Sequence, residues 1–276
     1  MDTMCFTVQG KNGEKPLELN YERVFAIGYA GRNIEKTMEH IKELERELGV
    51  PAPKKIPTIF QCGNYVLTQE KKLEFVGEKT CGEVEYVIVI KDKTIYIGLG
   101  SDHTDRELEA ASVPKAKQIC AKPICDTVWE YEDVKDHWDE IELHSWQTLD
   151  GTEVLYQEGT LSDILPVETI LKELDERVGG IDNCVIFSGT VPVKDGFRFG
   201  SKFRYEMEDK KLNRKLSSEY EVDVMTFYCD SVAWDGNPET RDETGDGTKE
   251  NPWRNVNYAL DQLQLSLDCT QKLCCN

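Results

Sequence analysis

The run "GEVEYVIVI", Gly82 to Ile90, constrains this chain more than any other stretch. Its branched and aromatic residues, bounded by Gly82 and by Lys91-Asp92-Lys93, fit a β-strand. Side chains two apart on a strand share a face. Glu83 and Glu85 therefore point one way, and Val84, Tyr86 and Ile88 the other. Two like charges on one face of an apolar strand repel, and burying them is costly without a cation. The next strand, "TIYIGLGSD", ends at Asp102, and a return through "KDK" brings this third carboxylate beside the pair. Two readings stand at this point. One is a solvated sheet face. The other is three oxygen ligands for Mg²⁺ or Mn²⁺, which suit carboxylates and water far better than zinc does.

The flanking sequence continues the strand pattern. "TIFQCG", "YVLT", "LEFVG" and "TIYIGLG" are short β-rich runs broken by Gly, Lys and Asp; Val24 to Ile27 adds a short apolar strand, and "CVIFSGTVPV" a strand and loop. "LDGTEVLYQ" reads as a hairpin with an Asp-Gly turn, and two further strands flank "EDKK". Two helices interrupt them. In "NIEKTMEHIKELERELG" the residues Ile34, Met38, Ile41, Leu44 and Leu48 share one face, with Asn33 as N-cap and Gly49 as C-cap. "LPVETILKELDERVGG" is the second. "RELEAAS" starts as a helix that Pro114 stops, and "EDVKDHWDE" is a polar turn. The body, residues 1–225, is expected to be a β-rich α+β domain, and residues 226–276 a linker and C-terminal extension.

The formal net charge is −19, of which the last segment, with nine acids and four bases, contributes −5. Clustered Lys and Arg are needed to hold nucleic acid or an anionic membrane surface, so neither is expected as a partner. No apolar run is long enough for a transmembrane helix, and no secretory signal opens the chain, so the expected location is cytoplasmic. Ten cysteines are scattered without a CxxC pair, which points to reduced, mostly buried thiols rather than a zinc ribbon.

The order of motifs resembles the fumarylacetoacetate hydrolase-like superfamily over residues 22–222. That family carries E-x-E on a strand and then N-D-x-S-A-R-D-L-Q; here "EVE" is followed by "SDHTDRELE". Its lysine stretch leading to a proline matches "PKAKQICAKP", and its N-G-E-x-x-Q-x-G-x-T-S-D hairpin matches "DGTEVLYQEGTLSD". Its T-G-T-P is similar to "SGTVP", and its early I-G-x-N-Y to "AIGYAG". The resemblance implies a mixed β-sheet roll with a few flanking helices, a metal at its mouth and a homodimer. It makes Glu83, Glu85 and Asp102 the ligands of Mg²⁺ or Mn²⁺, and Lys117, or alternatively Lys115, the site lysine. Gln157, Thr190 and Arg106 fall at its substrate-side positions, Arg106 alternatively fixing the acids.

The shared chemistry so implied is hydrolysis, decarboxylation or isomerisation of a small oxo-carboxylic acid through a metal-stabilised enolate. One departure matters. The lid His and Glu of the family correspond here to Ile34 and Thr37 in "GYAGRNIEKT", so that acid/base pair is missing. His103, next to Asp102, is the candidate replacement base, although alternation along a strand turns neighbours to opposite faces. Tyr29 and Arg32, in the segment matching the lid, are candidate substrate contacts. The missing pair equally suits a non-catalytic protein that binds a small carboxylate or sugar acid. In the extension, "GDGTKENPW" resembles the opening of some right-handed β-helix domains.

Overall fold

The fold comes from a computed structural model that describes residues 2–11, 13–48 and 52–225. The sequence readings on Gly49 and on residues 226–276 lie outside the described residues. Two sheets make the body. The larger has eight strands in the order Gly13–Tyr21, Asp2–Gly10, Thr127–Glu130, Thr94–Ser101, Val84–Lys91, Cys184–Phe187, Arg23–Gly28 and Thr58–Cys62. It is mixed: Asp2–Gly10 runs parallel to Thr127–Glu130 and Cys184–Phe187 parallel to Arg23–Gly28, while the other pairs are antiparallel. The smaller sheet is antiparallel through Thr152–Thr160, Glu142–Leu149, Lys202–Asp209 and Arg214–Met225, with Lys72–Val76 at its edge.

Both faces of the central strand Val84–Lys91 are dry. Val84, Tyr86 and Ile88 join Trp129, Tyr156, Phe203 and Tyr220 in a core shared with the smaller sheet. Val87 and Val89 join a second core drawn from strands across the same sheet, among them Phe6, Leu19, Ala26, Cys62 and Phe187. Residues from both edge strands meet in that second core, so the sheet curls around its own inner face. A strand covered on both faces explains the near-continuous apolar run at Val84–Ile90, since such strands have no wet side. The solvated-face reading of Glu83 and Glu85 therefore fails for Glu85, which is 2% exposed.

Several local expectations are corrected. Pro114 does not end a helix but sits in the first turn of a second one: Arg106–Ala111 is followed directly by Val113–Ile119. Proline lacks the N–H that the first turn would leave unpaired in any case, so it starts helices well. "EDVKDHWDE" is helical rather than a turn, with Tyr131–Val134 running into a 3₁₀ stretch, Lys135–Glu140. The chain opens with a hairpin, Asp2–Gly10 and Gly13–Tyr21, whose inward residues alternate as Met4, Phe6, Val8 and Leu17, Leu19, Tyr21. The helix Ile34–Leu48 has Asn33 Oδ1 accepting the Lys36 N–H, as its N-cap reading requires. Its expected apolar face is only partly covered: Ile41 is 3% exposed, but Ile34 is 62% and Met38 40%. All six cysteines among the described residues are free, and all but Cys5 are buried. No helix among the described residues is long and apolar enough to cross a membrane.

Two strands carry the site. Val84–Lys91 pairs with Thr94–Ser101 through a turn in which Asp92 and Lys93 have positive φ. Gly100 lies opposite Glu85, and a Cβ there would stand 2.7 Å from the Phe187 ring, 2.8 Å from Val87 and 3.0 Å from the Pro123 carbonyl. The Gly100→Ala chain is expected to be about 1–3 kcal/mol less stable, because overpacking here cannot relax into a backbone carbonyl. Urea unfolding would show a lower midpoint at unchanged slope, and an unchanged midpoint would refute the packing argument.

Candidate metal centre

Antiparallel pairing brings the acids together. Val84 faces Ser101 and Glu85 faces Gly100, and the Asp102 N–H donates to the Glu83 carbonyl at 3.0 Å. Each of Glu83, Glu85 and Asp102 thereby presents a carboxylate oxygen within 4.8 Å of the others. Asp102 is 1% exposed, while the Glu83 side chain keeps 13% of its surface open.

Three cations answer these charges. Lys117, on the helix Val113–Ile119, places Nζ 2.9 Å from Glu83 and 2.7 Å from Asp102, and donates to the Thr104 hydroxyl at 3.1 Å. Of the two lysines considered from sequence, Lys115 is exposed. Lys122 was not among them. It is completely buried, 2.9 Å from Asp102 Oδ1, and donates to the His103 carbonyl. Its signal was a lone lysine in the apolar stretch "ICAKPIC". Arg106 lies 3.0 Å from Glu83 and 2.9 Å from Glu109, and its Nε donates to the Cys81 sulfur at 3.1 Å.

The electrostatics separate the three acids. Burial raises the carboxyl of Asp102, but Lys117 and Lys122 together pull it down to about 2. Burial likewise opposes ionisation of Glu83, and Arg106 and Lys117 outweigh it, so Glu83 sits below its ordinary range. Lys117 loses to burial less than it gains from Asp102 and Glu83, and stays protonated well above its usual range. Glu85 is different. Burial, and next the Asp102 charge, push it well above 4.5, and the Lys117 charge and a 2.9 Å hydrogen bond from the Gly189 N–H offset this only in part. No ion pair reaches Glu85 among the described residues. Asp102 Oδ1 is also incompletely satisfied, because Lys122 approaches it outside hydrogen-bond geometry. A buried carboxylate without a cation and an open lone pair on its neighbour fit a hard divalent ion held by oxygen.

The remaining sequence candidates are placed as follows. The Gln157 amide oxygen accepts from the Val84 N–H and from Ser145, and its NH₂ donates to Thr190 Oγ1 and the Val191 carbonyl. Thr190 donates its hydroxyl to the Val84 carbonyl at 2.6 Å. Both side chains therefore tie the segment after Phe187 onto the ligand strand. Gly189 has φ +96°, and a Cβ there would meet Ala30 at 2.7 Å and the Ile27 carbonyl at 3.0 Å, so only glycine delivers the N–H to Glu85. Tyr29 is half-buried with a positive φ of 55°. Its phenol is raised by burial and next by the Glu109 charge, which the Lys117 charge opposes. Arg32 binds Asp139 and the carbonyls of Leu161 and Ile164, away from the acids. The His103 ring is fully buried, stacked on Phe75 at 3.8 Å, with Nδ1 2.8 Å from the Tyr220 hydroxyl. Burial holds its pKa well below the ordinary value, aided by Lys122, so it is neutral.

Because the folded-state pKa of Glu85 is raised, its protonated form stabilises the fold at low pH, and that contribution is lost as pH rises through the raised value. In EDTA, the Tm of Glu85→Gln minus that of wild type is expected to grow from about pH 5 to about pH 8. A difference that stays flat would mean that the Glu85 charge is already compensated.

No curated protein sequence matches the chain. Cg1458 superposes with a TM-score of 0.54 at 15% identity, over 81% of this chain and 99% of its own. A 2-keto-3-deoxyarabinonate dehydratase superposes with a TM-score of 0.56 at 14% identity, over 78% of this chain and 77% of its own. At 15% and 14% identity, what the chain shares with these two proteins is the fold. The profile described as "Protein of unknown function (DUF2848)" matches residues 27–220, and the chain belongs to that family.

Proposed function

We propose that this protein is a Mg²⁺-dependent enzyme acting on a small oxo-carboxylic acid, with Glu83, Glu85 and Asp102 holding the ion. The observation that carries this reading is the convergence of three carboxylates in a buried cluster where Glu85 has no cation of its own. Mn²⁺ suits the same oxygens and is the alternative ion. The fold supports the reading: one of its members, 2-keto-3-deoxy-D-arabinonate dehydratase, has been solved with magnesium and 2,5-dioxopentanoate.

Bound there, the ion supplies a Lewis acid for the charge that develops on the oxo-acid's carbonyl oxygen. The chain's own residues do the rest. Lys122 holds Asp102 and the backbone at His103, Arg106 holds Glu83, and the Gly189 N–H holds Glu85, so the three acids keep their aim. Lys117, protonated beside Glu83 and Asp102, is the cation that meets the substrate carboxylate. Tyr29 makes no hydrogen bond among the described residues, and its raised phenol pKa suits it to donate a proton rather than to take one. His103 takes no part here, because its ring is enclosed by Phe75 and Tyr220.

That enclosure favours a second reading, a binding protein that holds an oxo-acid on its ion without turning it over. Calorimetry with Mg²⁺ tests the site: wild type is expected to bind, and Glu85→Gln to bind at least tenfold more weakly. Equal affinities would remove Glu85 from the ligand set. Acylpyruvates, oxaloacetate and other β-keto acids assayed with Mg²⁺ then separate the readings. Turnover of a member supports the enzyme; ion binding with oxalate binding and no turnover supports the binding protein.

A further inference from the structure

The segment after Phe187 touches Glu85 near one end and Arg106 near the other. It begins at Glu85, where Gly189 donates, and continues to Phe197, whose ring lies 4.3 Å from the Arg106 guanidinium carbon. Arg106 in turn is 3.0 Å from Glu83, so the ring stands one guanidinium away from a ligand.

This segment is fastened along its length. The Lys194 N–H donates to the Tyr156 carbonyl, and Gln147, 1% exposed, donates to the Arg198 carbonyl and accepts from the Gly200 N–H, each at 3.0 Å. Gly200 packs so closely on this clamp that a Cβ would lie 2.6 Å from the Thr148 carbonyl. Yet the pinned loop leaves Phe197 51% exposed. A loop fastened in place carries this exposed ring beside Arg106, where a bound group can meet it.

Two polar side chains along this border are already committed. Thr190 spends its proton on the Val84 carbonyl, and Gln157 spends both amide protons and its oxygen inside the protein. A hydroxylated substrate tail would find no free donor from either, whereas an apolar tail finds the open face of Phe197. We infer that Phe197 is a specificity-determining residue that selects oxo-acids bearing an apolar substituent over polyhydroxylated ones. The inference rests on the reading of the carboxylates as an oxo-acid site.

The test uses the Mg²⁺-loaded protein and three planar dicarbonyl probes, measured by calorimetry: oxalate, N-butyloxamate and N-(2,3-dihydroxypropyl)oxamate. Wild type is expected to prefer the butyl compound to the dihydroxypropyl compound by about tenfold. Phe197→Ala is expected to bring that preference within about twofold while Mg²⁺ affinity stays at the wild-type value. Phe199→Ala, which removes an exposed ring of the same loop, is expected to keep the preference. Equal binding of the two oxamates by wild type, or an unchanged preference in Phe197→Ala, overturns the inference alone. Loss of preference in both variants assigns the effect to loop order and also overturns it. Failure of oxalate to bind overturns the underlying reading, and the inference with it.

Discussion

Three acids and three cations meet in one buried cluster, and the surrounding structure is arranged to hold them there. Glu83, Glu85 and Asp102 face Lys117, Lys122 and Arg106, so the formal charges of the six cancel. Cancellation in number is not cancellation in space. The cations crowd Asp102 and Glu83, and Glu85 receives only a backbone N–H. Desolvating an unpaired carboxylate costs several kcal/mol by Born-type reasoning, so the cluster carries an uneven burden that a further cation relieves. The asymmetry, more than the count of acids, separates this site from an ordinary buried salt-bridge network.

Both faces of the ligand strand are packed, and this supplies the low dielectric that makes the asymmetry matter. Tyr86 and Ile88 point into one core, Val87 and Val89 into the other. Glu85 shares the face of the second core and accepts from the Gly189 N–H. The scaffold thus places charged groups against an otherwise apolar interior.

Much of this was legible in the residues. Period-two alternation around Val84–Ile90, the Asp-Gly hairpin at Asp150-Gly151 and the strands about "EDKK" are local signals, and the structure reproduces them. Less legible were features decided by distant contacts. Lys122 is completely buried only because it reaches Asp102 and the His103 carbonyl across the fold. Ile34 and Met38 follow a helical apolar pattern, yet nothing among the described residues covers them fully. The neighbours Asp102 and His103 show how far spacing alone carries. Alternation warned that the two side chains diverge, but only the tertiary packing reveals that the ring ends between Phe75 and Tyr220.

All three carboxylates belong to one hairpin, the pairing of Val84–Lys91 with Thr94–Ser101 and the residues just beyond its ends. The ligand set is therefore a local property of the chain, encoded in a contiguous stretch and closed by a short turn. The groups that modulate it arrive from elsewhere: Lys117 and Lys122 from downstream, Gly189 and Phe197 from a separate loop. Such a division makes the centre modular. The loop can vary in sequence and alter what is recognised, while the hairpin that gathers the acids stays untouched.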